Sequence, residues 1–255
     1  MTTALVTGGT SGIGAAFARA LAERGHDLVL VARDPDRLAQ MATELTESYD
    51  IAVEVLSADL ADRDDTLRIA GRLESTEQPI DILVNNAGFG VRTKLTANDT
   101  TPHEHAIDVM IRAVLILAAA AGRTMTSRGR GAIINVSSTA GFITMGGYSA
   151  VKAWVTTYTE GLANELRGTG VQVTALCPGW VRTEFHQRAD IGTTKIPDWM
   201  WLDADRLVAE CLDDVEHYRV ISIPSKRYQA LMFVSRHLPR SAVRLASRKL
   251  SSGRH

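Results

Sequence analysis

Ala4-Leu5-Val6-Thr7-Gly8-Gly9-Thr10-Ser11-Gly12-Ile13-Gly14 decides the fold. A short apolar run of strand type ends in a glycine-rich turn, and a helical pattern follows over 12–24. Glycines permit a tight turn and close backbone approach to a pyrophosphate, which then sits on a helix N-terminus. A glycine-rich turn alone is a weak signal and reads equally as a flexible loop. Its place between a strand and a helix gives it weight.

Outward from this turn the pattern repeats. Strands are expected at Ala4–Thr7, Leu28–Ala32, Ala52–Ser57, Ile82–Val84, Ala132–Val136, Gln172–Cys177 and Val220–Ile223. They are continuous apolar runs, as strands buried on both faces should be. Helices are expected over 12–24, 36–48, 63–75, 103–127, 148–167 and 204–217. Alternating β and α predicts an α/β fold, a doubly wound parallel sheet of Rossmann type covered on both faces. Ligands bind such sheets beyond the carboxyl ends of the strands. We expect a catalytic domain over 1–225 and a basic helical tail over 226–255.

The second strand ends Ala32-Arg33-Asp34. An acid at the strand tip would favour NAD by binding the ribose 2′-hydroxyl. Here Ala32 holds the tip and Arg33 follows, placed to pair with a 2′-phosphate. The plainer reading of Arg33 is a solvated surface charge. Asp34 reads as the cap of the next helix. Tyr148 and Lys152 are four residues apart at a helix start and share a face. A nearby ammonium lowers a tyrosine pKa, so the pair is a plausible acid/base device. By itself the pair also fits a surface helix. Ser138 closes the strand before it, and Ser137 should point the other way.

These segments resemble the short-chain dehydrogenase/reductase family in its small single-domain branch. TGGTSGIG at 7–14, DL at 59–60, NNAG at 85–88, NVSS at 135–138, YSAVK at 148–152 and PG at 178–179 stand in that family's order. The resemblance implies NADP(H)-dependent interconversion of a ketone or aldehyde and an alcohol. It implies Ser138, Tyr148 and Lys152 as catalytic residues. Cofactor contacts would come from Gly8, Thr10, Ser11, Gly12, Ile13, Gly14, Arg33, Asp59, Leu60, Asn86, Ala87, Gly88, Pro178, Gly179, Val181 and Thr183, with Tyr148 and Lys152. Relatives associate through the long helix and the tyrosine helix, which implies a homodimer or homotetramer.

Two features depart from the family. The loop from Ser138 to Tyr148 is short and apolar, and Met110 stands where an asparagine usually completes a catalytic tetrad. Met110 keeps a rival reading open, a cofactor-binding but weakly catalytic sensor or partner-binding protein. Trp180, Phe185, Trp199, Met200 and Trp201 follow the PG segment. They read either as walls for an apolar acyl, steroid-like or aryl substrate, or as core or interface packing. Phe89 and Gly90 are expected to border the pocket. His103, His105 and His186 are expected at surface or hydrogen-bonded positions.

Composition narrows the classes. The chain has 255 residues, 45% hydrophobic and 22% charged, with net charge −1. That is ordinary globular composition, and no nucleic-acid partner is expected. Cys177 and Cys211 form no CxxC or His/Cys cluster, so neither a disulfide scaffold nor a metal site is expected. No signal segment is visible, and the apolar run Val114–Ala121 is far too short for a span. A cytoplasmic protein is expected.

Charge is uneven. Residues 1–225 hold 20 Lys/Arg against 29 Asp/Glu, whereas 226–255 hold eight Lys/Arg and no acid. Arg236, Arg240, Arg244 and Arg248 recur every four residues among Leu238, Val243, Leu245 and Leu250, with Pro239 as a helix start. Peripheral membrane contact, a docking patch and a solvated helix all fit this tail.

Overall fold

A computed structural model of the chain describes residues 2–183 and 197–251. Seven parallel strands form one sheet in the order β3-β2-β1-β4-β5-β6-β9. They are β1 (Thr3–Thr7), β2 (Asp27–Ala32), β3 (Val53–Ser57), β4 (Ile80–Asn85), β5 (Gly131–Val136), β6 (Val171–Leu176) and β9 (Ile221–Ser222). Each expected strand is present, within a residue or two at its ends. Two further two-residue strands, β7 (Trp180–Val181) and β8 (Trp201–Leu202), pair in parallel beside the sheet.

The central register is set by buried residues. Leu5 lies opposite Val29 on β2 and Leu83 on β4, and all three are essentially inaccessible. Burying such a side chain is worth about 1.5–3 kcal/mol. One face of the sheet is covered by α1 (Gly12–Glu23), α2 (Pro35–Tyr49) and α7 (Ala204–Glu216), whose Phe17, Leu38 and Leu212 join its core. The other face is covered by α3 (Arg63–Leu73), α5 (Ala113–Arg128) and α6 (Gly146–Glu165), contributing Ile69, Leu117 and Leu162.

Local chemistry starts the helices where the sheet needs them. Asp34 caps α2, its carboxylate accepting from the Asp36 and Arg37 amides at 3.1 Å. Pro35 is the first helical residue, where its missing N–H costs nothing. Asp62 caps α3 in the same way, at 2.8 and 2.9 Å. The strand order reverses between β1 and β4, so their carboxyl ends open the crevice that binds ligands in this class of sheet.

The expected helix over 103–127 is a longer composite. It comprises α4 (Thr101–Ile107), a π-helical turn (Asp108–Arg112) and α5. The run Thr101–Arg128 is 28 residues and, by length and composition alone, apolar enough to cross a membrane. That corrects the expectation based on Val114–Ala121. Its most apolar window is 56% buried inside the protein, and it serves as a core helix.

The tail keeps the expected helix start at Pro239 and adds a separate helix before it. It forms two helices, α8 (Lys226–His237) and α9 (Arg240–Ser251), broken at Leu238 and Pro239. The four-residue arginine repeat therefore does not lie on one helix. Arg236 belongs to α8, and the other three belong to α9.

Candidate active site

The glycine turn is held against β4 by side chains that bond to its backbone. Asn86 donates from Nδ2 to the carbonyls of Thr7 at 2.9 Å and Gly8 at 3.3 Å. Thr7 Oγ1 in turn accepts from the amides of Asn86 at 2.9 Å and Ala87 at 3.1 Å. Gly14 packs beneath the turn, where a Cβ would collide with the Gly8 carbonyl and Asn86 Nδ2. Helix α1 can approach β1 this closely only because residue 14 lacks a side chain.

Arg33 stands exposed at the end of β2. Arg37, one turn into α2, donates to the Thr10 carbonyl at 3.2 Å. Beside the glycine turn the cleft thus carries Arg33 and Arg37, of which the sequence names Arg33 alone. A lone arginine on a helix looks like a solvent charge. Only the fold shows that Arg37 reaches the glycine turn. Asp59 accepts from the Ala61 amide at 3.0 Å, which shapes the turn after β3.

At the other end, Ser138 follows β5 and Tyr148 lies in the first turn of α6. The two hydroxyls are hydrogen-bonded. Ser138 Oγ also accepts from the Ala140 amide at 3.1 Å and donates to the Pro178 carbonyl at 3.4 Å. Ser137 points elsewhere, with Oγ 2.7 Å from both the Lys152 carbonyl and Thr156 Oγ1.

Lys152 is 4% exposed. Its Nζ donates to the Val136 carbonyl at 2.8 Å and lies 5.7 Å from the Tyr148 ring centroid. Burial pushes Lys152 down to about 8 and Tyr148 up to about 12; the Ser138 hydrogen bond only partly offsets the latter. The expected lowering of the tyrosine by the ammonium is therefore absent in this arrangement. Desolvation dominates, and the ammonium is turned to a backbone carbonyl rather than to the phenol.

Met110 sits in the π-helical turn and is 1% exposed. A Cβ on Gly88 would lie 3.0 Å from Met110 Sδ, so the thioether packs directly under the NNAG segment.

The apolar end is closed by elements far apart in sequence. Tyr228 on α8 lies flat on Gly179, where any side chain would strike its ring. Its hydroxyl donates to the Met200 carbonyl at 2.8 Å and accepts from the Trp180 amide at 3.1 Å. Ser247 on α9 is buried and accepts from the Thr144 amide at 3.2 Å. The sequence reading missed Tyr228 and Ser247, because charge dominated its view of the tail.

Trp180 and Trp201 meet edge to face at 6.1 Å, with Trp180 on the cleft, while Trp199 is exposed. Phe89 and Gly90 border the cleft, and His105 stacks on Phe89 at 4.9 Å. His103 Nε2 lies 3.3 Å from the Lys94 carbonyl. Phe185 and His186 lie outside the described residues.

All these parts share one cleft of about 2190 Å³. Drug-sized ligand pockets run to about 1,000 Å³, so there is room for a dinucleotide and a second molecule. Every residue expected to touch the cofactor lines it except Gly14, which supports the turn from behind; of the expected substrate walls, Trp180 and Met200 line it, whereas Trp199 and Trp201 do not.

Known proteins match this architecture. The family model for short chain dehydrogenases matches residues 2–192. An uncharacterized oxidoreductase of Staphylococcus saprophyticus is 37% identical over 195 residues, covering 75% of this chain and 83% of that protein. A short-chain dehydrogenase from Sphingobium yanoikuyae, solved in complex with NADPH, superposes with TM-score 0.84 at 36% identity, covering 92% and 94% of the two chains. The bulky-bulky ketone specific alcohol dehydrogenase of Comamonas testosteroni superposes with TM-score 0.79 at 31% identity, covering 94% and 96%. The glycine turn, the crevice and the Ser-Tyr-Lys cluster thus stand in a chain that belongs to the short-chain dehydrogenase/reductase family of NAD(P)-binding oxidoreductases.

Proposed function

We propose that the chain is an NADP(H)-dependent oxidoreductase that interconverts an apolar ketone or aldehyde and the corresponding alcohol. The observation that carries this reading is the Tyr148–Ser138 hydrogen bond, set in one cleft with Arg33 and Arg37.

The residues fit the dinucleotide. The turn over Gly14 leaves bare backbone for a pyrophosphate at the N-terminus of α1. Arg33 and Arg37 would hold a 2′-phosphate. Gly12 and Thr183 close the turn from above, with Thr183 Cβ 3.2 Å from the position of a Cβ on Gly12. When bound, the nicotinamide supplies or accepts the hydride.

The chain's own groups handle the oxygen and the proton. Ser138 Oγ is held by the Ala140 amide, and its one hydrogen can turn from the Pro178 carbonyl, 3.4 Å away, to a substrate oxygen. Tyr148, held protonated through the neutral range by burial, is the proton donor in reduction. Lys152 is still an ammonium at pH 7 and lies 5.7 Å from the Tyr148 ring centroid, where its charge offsets the phenolate as it forms. Ile143, Met145, Trp180, Met200, Met232 and Val243 line the substrate end, which favours an apolar carbonyl compound. The bulky-ketone enzyme at 31% identity supports the same class. Exposed Leu115 on α5 and the stacked Trp154–Tyr158 pair on α6 support a homo-oligomer through these helices.

A second reading rests on Met110. A buried thioether replaces a polar group beneath the cofactor segment, which favours a nucleotide-binding protein of low turnover. NADPH oxidation across short polar to long apolar carbonyls, with NADH in parallel, tests both. Turnover with NADPH that rises toward apolar substrates is the expected result. Tight NADPH binding without turnover on any substrate would favour the second reading.

A further inference from the structure

The tail helices have an inner and an outer side. Inside, Tyr228 and Met232 are buried, and Val243 and Ser247 wall the cleft. Outside, Phe233 is 66% and Leu245 58% exposed. Between them, Leu231, Val234 and Leu238 line the cleft rim yet stay about half exposed. Scattered single apolar residues on a surface are ordinary, but here four on these two helices and Leu238 between them are exposed within residues 231–245. Lys226, Arg227 and Arg244 are exposed on the same two helices. Residues 226–255 contain eight Lys/Arg and no acid.

We propose that this side of the tail rests on an anionic lipid surface and places the cleft rim at the lipid boundary. Solvent-facing apolar side chains on cationic helices are the composition of an interfacial segment. A negatively charged headgroup layer complements the cations, while its acyl boundary takes Phe233 and Leu245. A second copy would set the same cationic segment against itself, which repulsion opposes. A soluble polyanion would match the cations and leave the apolar side chains in water. An apolar substrate then passes from lipid to cleft along Leu231, Val234 and Leu238 without crossing bulk water. That last step rests on the reductase reading; the docking itself does not.

The test is co-sedimentation of the full chain with vesicles of mixed phosphatidylglycerol and phosphatidylcholine, and with phosphatidylcholine alone. No cofactor or substrate is added, so the result is independent of the catalytic reading. The wild type should partition onto anionic vesicles and much less onto neutral ones. Phe233→Asp combined with Leu245→Asp should lower partitioning by about tenfold or more, because two apolar side chains lose their place in the lipid. Both side chains face solvent, so the thermal midpoint should hold. A wild type that stays in the supernatant would overturn the proposal. Equal partitioning of wild type and variant would overturn it too, since contact would then be purely ionic. So would dissociation of an oligomer by the double variant without vesicles, which would make this face a subunit contact.

Discussion

At the dinucleotide end of the cleft, backbone meets backbone. Gly14 leaves no space for a side chain, and Asn86 spends both amide hydrogens on carbonyls of the turn. At the substrate end, side chains do the joining. Tyr228 ties α8 to Trp180 and Met200, and one Ser247 hydroxyl ties α9 to the loop after β5. The first end leaves no room for a side chain at Gly14. The second is assembled from remote pieces through a few replaceable contacts. Under the proposed function, the first end takes the dinucleotide and the second takes the carbonyl substrate.

The Ser138–Tyr148–Lys152 cluster, proposed as catalytic, stands between the two ends, and its loss gives the largest expected effect. Tyr148→Phe should lower kcat/KM by about 10²- to 10⁴-fold, as removal of a general acid does, with NADPH affinity unchanged in a fluorescence titration. Comparable turnover would assign the proton to another group. Next, Gly14→Ala should cost about 3 kcal/mol in urea denaturation, because its methyl group meets backbone and must move a helix. A cost under about 0.5 kcal/mol would show that the turn is not rigid.

Arg33→Ala should weaken NADPH binding by about ten- to a hundredfold, the worth of charged hydrogen bonds, and barely touch NADH. Equal losses for both would remove the 2′-phosphate from the reading. The buried lysine gives a pH signature. Between its folded value of about 8 and its unfolded value near 10.4, the unfolded chain holds a proton that the folded chain lacks. Stability should therefore rise with pH across that window, by about 2 kcal/mol relative to Lys152→Met. A flat difference between the two proteins would place Lys152 in water.

The smallest effect sharpens the comparison most. Tyr228→Phe leaves the Trp180 amide and Met200 carbonyl without that hydroxyl, at a cost of about 1 kcal/mol. It should raise KM for the carbonyl substrate while NADPH affinity holds. If both change together, the two ends form a single unit.

The same contrast explains what was legible in the sequence. Every strand of the sheet could be read, because burial on both faces demands continuous apolar runs such as Leu28–Ala32. That the glycine turn, Ser138, Tyr148 and Lys152 share one cleft was legible because they follow strands of one parallel sheet. Arg37 was not, since nothing local separates an arginine that reaches the Thr10 carbonyl from one in water. Strands β7 and β8 are two residues each and carry no periodicity. The tail was read through its charges. Its inner side is marked only by Tyr228, Met232, Val243 and Ser247, which share no regular spacing once Leu238 and Pro239 interrupt the helix. The pKa of Tyr148 was misjudged for the same reason, because burial is a property of the fold and not of the motif.

The contact between Ser247 and Thr144 crosses the edge of the family match. The family match ends at residue 192, before Met200, Tyr228 and Ser247. The matched portion thus holds Ser138, Tyr148 and Lys152, while Met200, Tyr228 and Ser247 on the same cleft lie in the stretch beyond it. A substitution in that stretch can therefore reshape the cleft wall without touching the portion that the family model matches.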